Sequence, residues 1–143
     1  MNWEFEHSVE CQVSKEFAWQ FWTSVANWTL DTSVESVTLD GPFAAGAKGV
    51  TNPRGGNPIE WQLIEVQDGS GAAMEIALPG ATVRFRWWFE DAADGGVRMT
   101  QQVTLEGERA DDYAEGMKQL EWGIPQGMQK MAEVMAKVAS EQA

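Results

Sequence analysis

The chain has 143 residues and a formal charge of −12, which fits one domain large enough to bury a core without disulfide or metal staples. So acidic a chain lacks the basic face that nucleic-acid binding needs and suits anionic membranes poorly, its charge otherwise serving solubility. Ordinary apolar content with eight Trp excludes disorder, no run nears the roughly 18 apolar residues of a membrane span, and Met1-Asn2-Trp3-Glu4 shows no signal-peptide pattern, so a cytoplasmic protein without membrane insertion is expected.

Trp3, Phe5, His7, Val9, Cys11 and Val13 alternate with Glu4, Glu6, Ser8, Glu10 and Gln12. This period of two predicts a half-buried strand with an acidic outer face. Ser14 suits an N-cap, with Glu16 in the first turn. Phe17, Ala18, Phe21, Trp22 and Val25 recur at helical spacing, which predicts one or two short helices over residues 15 to about 28. Residues 34–39 read as a second strand, ended by Asp40-Gly41-Pro42. A short strand over 46–53 follows, then a hairpin loop, Arg54-Gly55-Gly56-Asn57-Pro58. The glycines of that loop do not form a phosphate-binding pattern, because the strand–loop–helix context is missing.

Ile59, Trp61 and Leu63 alternate before the phase slips to Ile64 and Val66, which predicts a β-bulge or a change of side. Residues 72–78 form another strand between glycine-rich turns. The stretch 82–90 puts Val83, Phe85, Trp87 and Phe89 on one face and Arg84, Arg86 and Trp88 on the other. Burying two guanidinium groups without partners costs several kcal/mol each, so the apolar set is expected inside and the arginines outside. Asp94-Gly95-Gly96 turns the chain into a last strand of Val97, Met99, Gln101, Val103 and Leu105.

A polar helical segment over 108–121 is expected to end at Gly123-Ile124-Pro125, a free glycine and a proline without an amide donor. Residues 113–122 would then be a separate piece able to act as a flap. A long helix over 124 to about 140 follows. Its apolar stripe is Ile124, Met128, Met131, Met135 and Val138, with Gln126, Gln129, Lys130, Glu133 and Lys137 opposite. Strands in hairpin succession make an antiparallel sheet, which twists and curls around such a helix. The expected fold is α+β: a curved seven-stranded antiparallel sheet gripping a long C-terminal helix, with two short helices after the first strand, all in one domain.

Three stretches carry a resemblance. They are Val13-Ser14-Lys15-Glu16-Phe17-Ala18-Trp19 through Val25-Ala26-Asn27-Trp28, then Leu39-Asp40-Gly41-Pro42-Phe43 with Gly46, then residues 95–107 from Gly95-Gly96-Val97 to Leu105-Glu106-Gly107. Together they resemble the START-like helix-grip superfamily (SRPBCC), and within it the polyketide cyclase/dehydrase-type proteins, over essentially the whole chain. Many such proteins carry a second tryptophan and an acid shortly after the first. Here Thr29, Leu30 and Asp31 follow Trp28, so only the acid is retained. The resemblance implies a hydrophobic cavity between sheet and helix, used for lipids, polyketides, sterols or hormones. It implies no common catalytic set.

Candidate site residues follow from strand and helix parity. His7, the one histidine, points inward and is either a general acid or base in the cavity or a hydrogen-bonded core residue. Cys11 stands alone, so it forms no internal disulfide, and without a visible cationic neighbour it reads as a buried thiol. One His and one Cys fall short of a zinc set, so no metal and no cofactor are expected. Gln101 interrupts an apolar face, to bond either a ligand carbonyl or a local group. Trp61, Met74, Phe85, Trp87, Met99, Trp122, Met128, Met131 and Met135 are candidates for the lining, although such residues also build ordinary cores. The expected function is binding or carriage of a small hydrophobic or amphipathic molecule, by a monomer or homodimer without nucleic-acid partners. A cyclase or dehydrase using His7, and a co-chaperone-like module for protein partners, are the alternatives.

Overall fold

The computed structural model describes residues 3–30 and 34–142. Among these, seven strands form one sheet. They are β1 (Trp3–Cys11), β2 (Val34–Asp40), β3 (Lys48–Pro53), β4 (Ile59–Gln67), β5 (Gly71–Leu78), β6 (Ala81–Asp91) and β7 (Val97–Glu106). The spatial order is β1-β7-β6-β5-β4-β3-β2, and every neighbouring pair is antiparallel. From β2 onward each strand therefore pairs with the next, and β7 closes back on β1. Helix α1 (Lys15–Thr23) and a 3-10 turn (Val25–Leu30) leave β1, while α2 (Ala110–Met117) and α3 (Leu120–Gln142) follow β7.

Local chemistry explains the main boundaries. Along β1 each apolar residue is more buried than its acidic neighbour, because the strand has one face on the interior and one in water. Ser14 caps α1: its hydroxyl accepts from the Phe17 amide at 3.1 Å. The phase slip in β4 is a break in register between Leu63 and Glu65. It keeps Trp61 and Leu63 buried while Val66 faces Ala72 on the same inner face. In β6, Val83 and Phe89 are buried, whereas Arg84 turns outward to Glu75 of β5 at 2.6 Å. The inner side of this strand is thus the apolar one. Gly49 on β3 is set by the same interior: a Cβ there would overlap the Trp61 ring.

Helix α3 runs along the inner side of edge strand β1. Its start lies near Trp3, whose indole donates to Glu121 at 3.0 Å. Farther along, the Cys11 thiol donates to the Ala132 carbonyl at 3.2 Å. Ile124, Met128, Ala132 and Met135 are buried against the sheet.

The expected joint at Gly123-Ile124-Pro125 is corrected. One helix runs from Leu120 to Gln142 with Pro125 inside it, and the separation from α2 falls at Lys118 and Gln119 instead. The first turn bonds backward, from the Glu121 amide to Lys118 and from the Trp122 and Gly123 amides to Gln119. Pro125 forfeits one hydrogen bond, whose acceptor would be the carbonyl of Glu121, an exposed residue whose carbonyl water can reach. Burial of Ile124 and Met128 on either side outweighs that loss. The flap over residues 113–122 is therefore not a unit: it spans the end of α2 and the start of α3. Asp31, the acid of the resemblance, and the Met1-Asn2 part of the N-terminal reading lie outside the described residues.

Candidate functional site

The inner face of the sheet is built in rows that follow from the register. Trp3, Leu105, Val83 and Ile76 form one row; Phe5, Val103, Phe85, Met74 and Leu63 the next. His7, Gln101, Trp87, Ala72 and Val66 form a third, and Val9, Met99 and Phe89 a fourth. The interior therefore has two ends and a middle.

At the Val9–Met99–Phe89 end the space is filled with rings. Trp22 of α1 lies 5.0 Å from Trp87, 5.5 Å from Phe89 and 5.3 Å from Phe43. Trp19 meets Phe89 edge-on at 5.7 Å, and its indole donates to Asp68 at 3.0 Å. Trp28 bridges from Trp22 at 5.8 Å to Trp61 at 5.3 Å, donating its indole hydrogen to the Trp22 carbonyl at 2.8 Å. The Trp61 indole is satisfied by the Thr51 hydroxyl at 3.0 Å. The indole nitrogens of Trp19, Trp28 and Trp61 thus each donate to a protein oxygen.

Toward the other end the inner face is less covered. Phe5, Met74, Ile76, Leu78 and Phe85 are only half-buried, although each points to the interior. On the helix side Met131, Met117 and Leu120 are also half-buried. Because α3 follows β1 rather than crossing to β5, this part of the wall packs against the core but stays partly uncovered.

Of the sequence-derived lining, Met74, Phe85, Trp87 and Gln101 fall in adjoining rows, and Met131 lies on the α3 stripe. Met99, Met128 and Met135 are in the buried core, Met135 at 0% exposure, and Trp61 is buried in the ring cluster. Trp122 is 76% exposed and is not brought together with the rest. It precedes Ile124 by two positions, about 200° around the helix from the apolar stripe. His7 is half-buried and faces Gln101 across β1 and β7. Neither side chain hydrogen-bonds a described residue, and the buried Trp87 indole nitrogen also lacks a partner among them. Phe5 and Ile76, absent from the sequence-derived lining, share the half-exposed inner wall. The alternation of β1 already carried Phe5, whereas Ile76 needed the register of β5.

Burial pushes the Cys11 thiol above its ordinary pKa, against the lowering effect of nearby backbone hydrogen bonds. It is a protonated packing group, not a nucleophile at neutral pH. No group of three His, Cys, Asp or Glu side chains able to hold a metal occurs among the described residues, and no described helix is long and apolar enough to cross a membrane.

The opposite, outer face carries the charge. Arg98 reaches Glu10 at 3.3 Å and Gln102 reaches Glu4 at 2.7 Å. Two shallow hollows lie on this side. One of about 350 Å³ is lined by Glu75, Thr82, Arg84, Thr104, Glu106 and Gly107. The other, of about 500 Å³, lies around Arg86, Trp88, Glu90 and Gln102.

A family model described as polyketide cyclase / dehydrase and lipid transport matches residues 2–136. No curated protein matches the chain in sequence. Among solved structures, a protein of unknown function from Staphylococcus aureus is similar at 18% identity and a TM-score of 0.72, covering 98% of this chain and 97% of its own. Norcoclaurine synthase from Thalictrum flavum is similar at 12% identity and a TM-score of 0.72, with 97% and 94% covered. Ara h 8.0201 is similar at 15% identity and a TM-score of 0.71, with 96% and 99% covered. At these identities the likeness is one of fold, the helix-grip arrangement of a curved sheet around a long C-terminal helix.

Proposed function

We propose that this chain, which belongs to the polyketide cyclase/dehydrase and lipid transport family, binds a small hydrophobic or amphipathic molecule between the sheet and α3. One observation carries the reading: Phe5, Met74, Ile76 and Phe85 face inward yet remain only partly buried, beside a cluster packed ring on ring. Large apolar side chains left partly uncovered on a concave wall are what a ligand of matching shape would cover. Methionines on both walls, Met74 and Met131, give a lining that adapts to irregular outlines.

Binding is favoured over catalysis by the surroundings of His7. A general base is usually oriented by a second group, and His7 has no hydrogen-bond partner among the described residues. The solved norcoclaurine synthase in complex with dopamine and hydroxybenzaldehyde supports the capacity of the fold for small aromatic molecules, without assigning that chemistry here. Titration with apolar fluorescent probes and long-chain compounds is the test. Saturable binding with altered Trp emission is the expected result, since Trp87 and Trp22 flank the site. A folded protein that binds none of the panel would remove the ligand-holding role.

A further inference from the structure

We infer that the molecule held between sheet and helix is recognised through a neutral carbonyl or similar oxygen acceptor, set against Trp87 and Gln101. This rests on the binding role proposed above and names the ligand's polar group. Three adjacent strands contribute consecutive polar side chains to one inner row: His7 on β1, Gln101 on β7 and Trp87 on β6. Directly opposed side chains on one face stand about 5 Å apart at Cβ, so the three groups fit within the span of one small molecule's polar end. The rows on either side are apolar: Phe5, Val103, Phe85 and Met74 on one, Val9, Met99 and Phe89 on the other.

The polar row is unsatisfied from within. The Trp87 indole nitrogen is fully buried without a hydrogen-bond partner. Gln101 is 6% exposed overall and its amide bonds no described residue, but Trp87 alone has a fully buried polar atom left without a partner among them. By contrast Trp3, Trp19, Trp28 and Trp61 each donate their indole hydrogen to a protein oxygen. A buried polar group left without a partner is costly, so native structures rarely keep one without a use.

The chemistry of the row narrows the ligand. An indole N–H only donates, while a Gln amide both donates and accepts. The group at Trp87 must therefore be an acceptor. No permanently charged side chain faces this row: Arg84 and Arg98 turn outward to Glu75 and Glu10, and Glu4 and Glu6 are on the exposed face of β1. A carboxylate would enter an apolar space with no Lys or Arg facing it to offset its desolvation. A ketone, ester or lactone oxygen fits; a free acid, an amine or a plain hydrocarbon does not use what the row offers.

Three probes sharing one apolar body distinguish these cases: 2-acetylnaphthalene, 2-ethylnaphthalene and 2-naphthoate. With the full chain, the ketone is expected to bind about tenfold more tightly than the hydrocarbon, the scale of one buried hydrogen bond, and the carboxylate most weakly. The ¹⁵N-indole resonance of Trp87 should shift with the ketone and much less with the hydrocarbon. Trp87→Phe and Gln101→Leu should each reduce the ketone's advantage and leave the hydrocarbon's affinity nearly unchanged. If Trp87→Phe does not fold, Gln101→Leu and the indole resonance of the unaltered protein decide. Equal binding of ketone and hydrocarbon, or tightest binding of the carboxylate, overturns this inference while leaving a ligand-holding role intact. No binding of any probe to the folded protein overturns both.

Discussion

The two ends of the interior are made from similar residues and have opposite character. At one end Trp19, Trp22, Trp28, Phe43, Trp61 and Phe89 meet ring to ring, and the indoles of Trp19, Trp28 and Trp61 find hydrogen-bond partners. At the other, Phe5, Met74, Ile76 and Phe85 are equally apolar but partly buried, with Val83, Val103 and Leu105 buried between them. The difference lies in what is laid over the sheet. Helix α1 and the 3-10 turn cross one end, and their tryptophans fill it. Helix α3 keeps to β1, and α2 reaches the β5–β6 turn, where the Tyr113 hydroxyl donates to the Pro79 carbonyl at 2.8 Å, so the wall at the other end is partly covered. Apolar composition alone does not separate a core from a binding wall; the path of the covering elements does. Trp87 sits at the junction, its ring tilted against Trp22 and its indole nitrogen without a partner among the described residues.

The largest expected effect is at the closed end. Trp22 is 2% exposed and touches Trp87, Phe89, Phe43 and Trp28. Trp22→Ala should cost about 3–5 kcal/mol, the range for a buried aromatic removed from a packed cluster, read by urea denaturation. A loss below about 1 kcal/mol would mean that the ring cluster is loosely packed, and the contrast between the ends would collapse.

Gly49→Ala probes the same end by overfilling. Its added methyl would overlap the Trp61 ring, itself held by Thr51 and Trp28. Overpacking of this kind costs roughly 1–3 kcal/mol. A thermal midpoint unchanged from that of the parent would show that Trp61 is free to move, and that this end too is pliable.

At the open end the same kind of truncation should behave differently. Phe85→Ala removes a half-buried ring and should lower stability by about 1–2 kcal/mol, less than full burial would give. It should also weaken binding of an apolar probe by about tenfold, since the ligand loses much of a side chain's contact area. Stability loss as large as at Trp22, with affinity kept, would make Phe85 core and move the site elsewhere.

Much of this organisation was readable from residue order, and what was not has a physical reason. The alternation in β1, the Ser14 cap and the slip after Leu63 are local features, and each is present. The inward face of β6 followed from the cost of burying Arg84 and Arg86, a rule that needs no knowledge of the fold. The joint at Gly123-Ile124-Pro125 misled because a local propensity was weighed without its tertiary counterpart. Ile124 and Met128 are both anchored on the sheet, and that burial holds the helix through a proline. The polar row was half visible. Parity turned His7, Gln101 and Trp87 inward one by one, but that they share a row depends on the pairings of β1 with β7 and of β6 with β7. Those pairings join residues as far apart in the chain as Trp3 and Leu105, and no local pattern encodes them. Trp122 shows the converse error: an aromatic residue near the stripe, yet out of phase with it.

The smallest expected effect lies directly behind the open wall. Arg84 and Glu75 face each other across β5 and β6, next to the inner pair Phe85 and Met74. The arginine holds the carboxylate through two nitrogens, at 3.0 Å and 2.6 Å. Their side chains are 42% and 29% exposed, so water screens much of the attraction, and pairs of this kind stabilise by roughly 0.2–1 kcal/mol. Arg84→Gln keeps a donor for Glu75 and most of the aliphatic stem. It should therefore shift the urea midpoint only slightly, by less than about 1 kcal/mol in stability, with the shift shrinking further as salt is raised. Probe affinity should not change, because the guanidinium is on the outer face and the proposed ligand wall is on the inner one. The same residue lines the outer hollow with Glu75, Thr82, Thr104 and Glu106. A marked loss of probe binding on Arg84→Gln, with stability kept, would therefore transfer the ligand from the concave to the convex side of the sheet. The half-exposed residues of the inner wall would then mark imperfect packing.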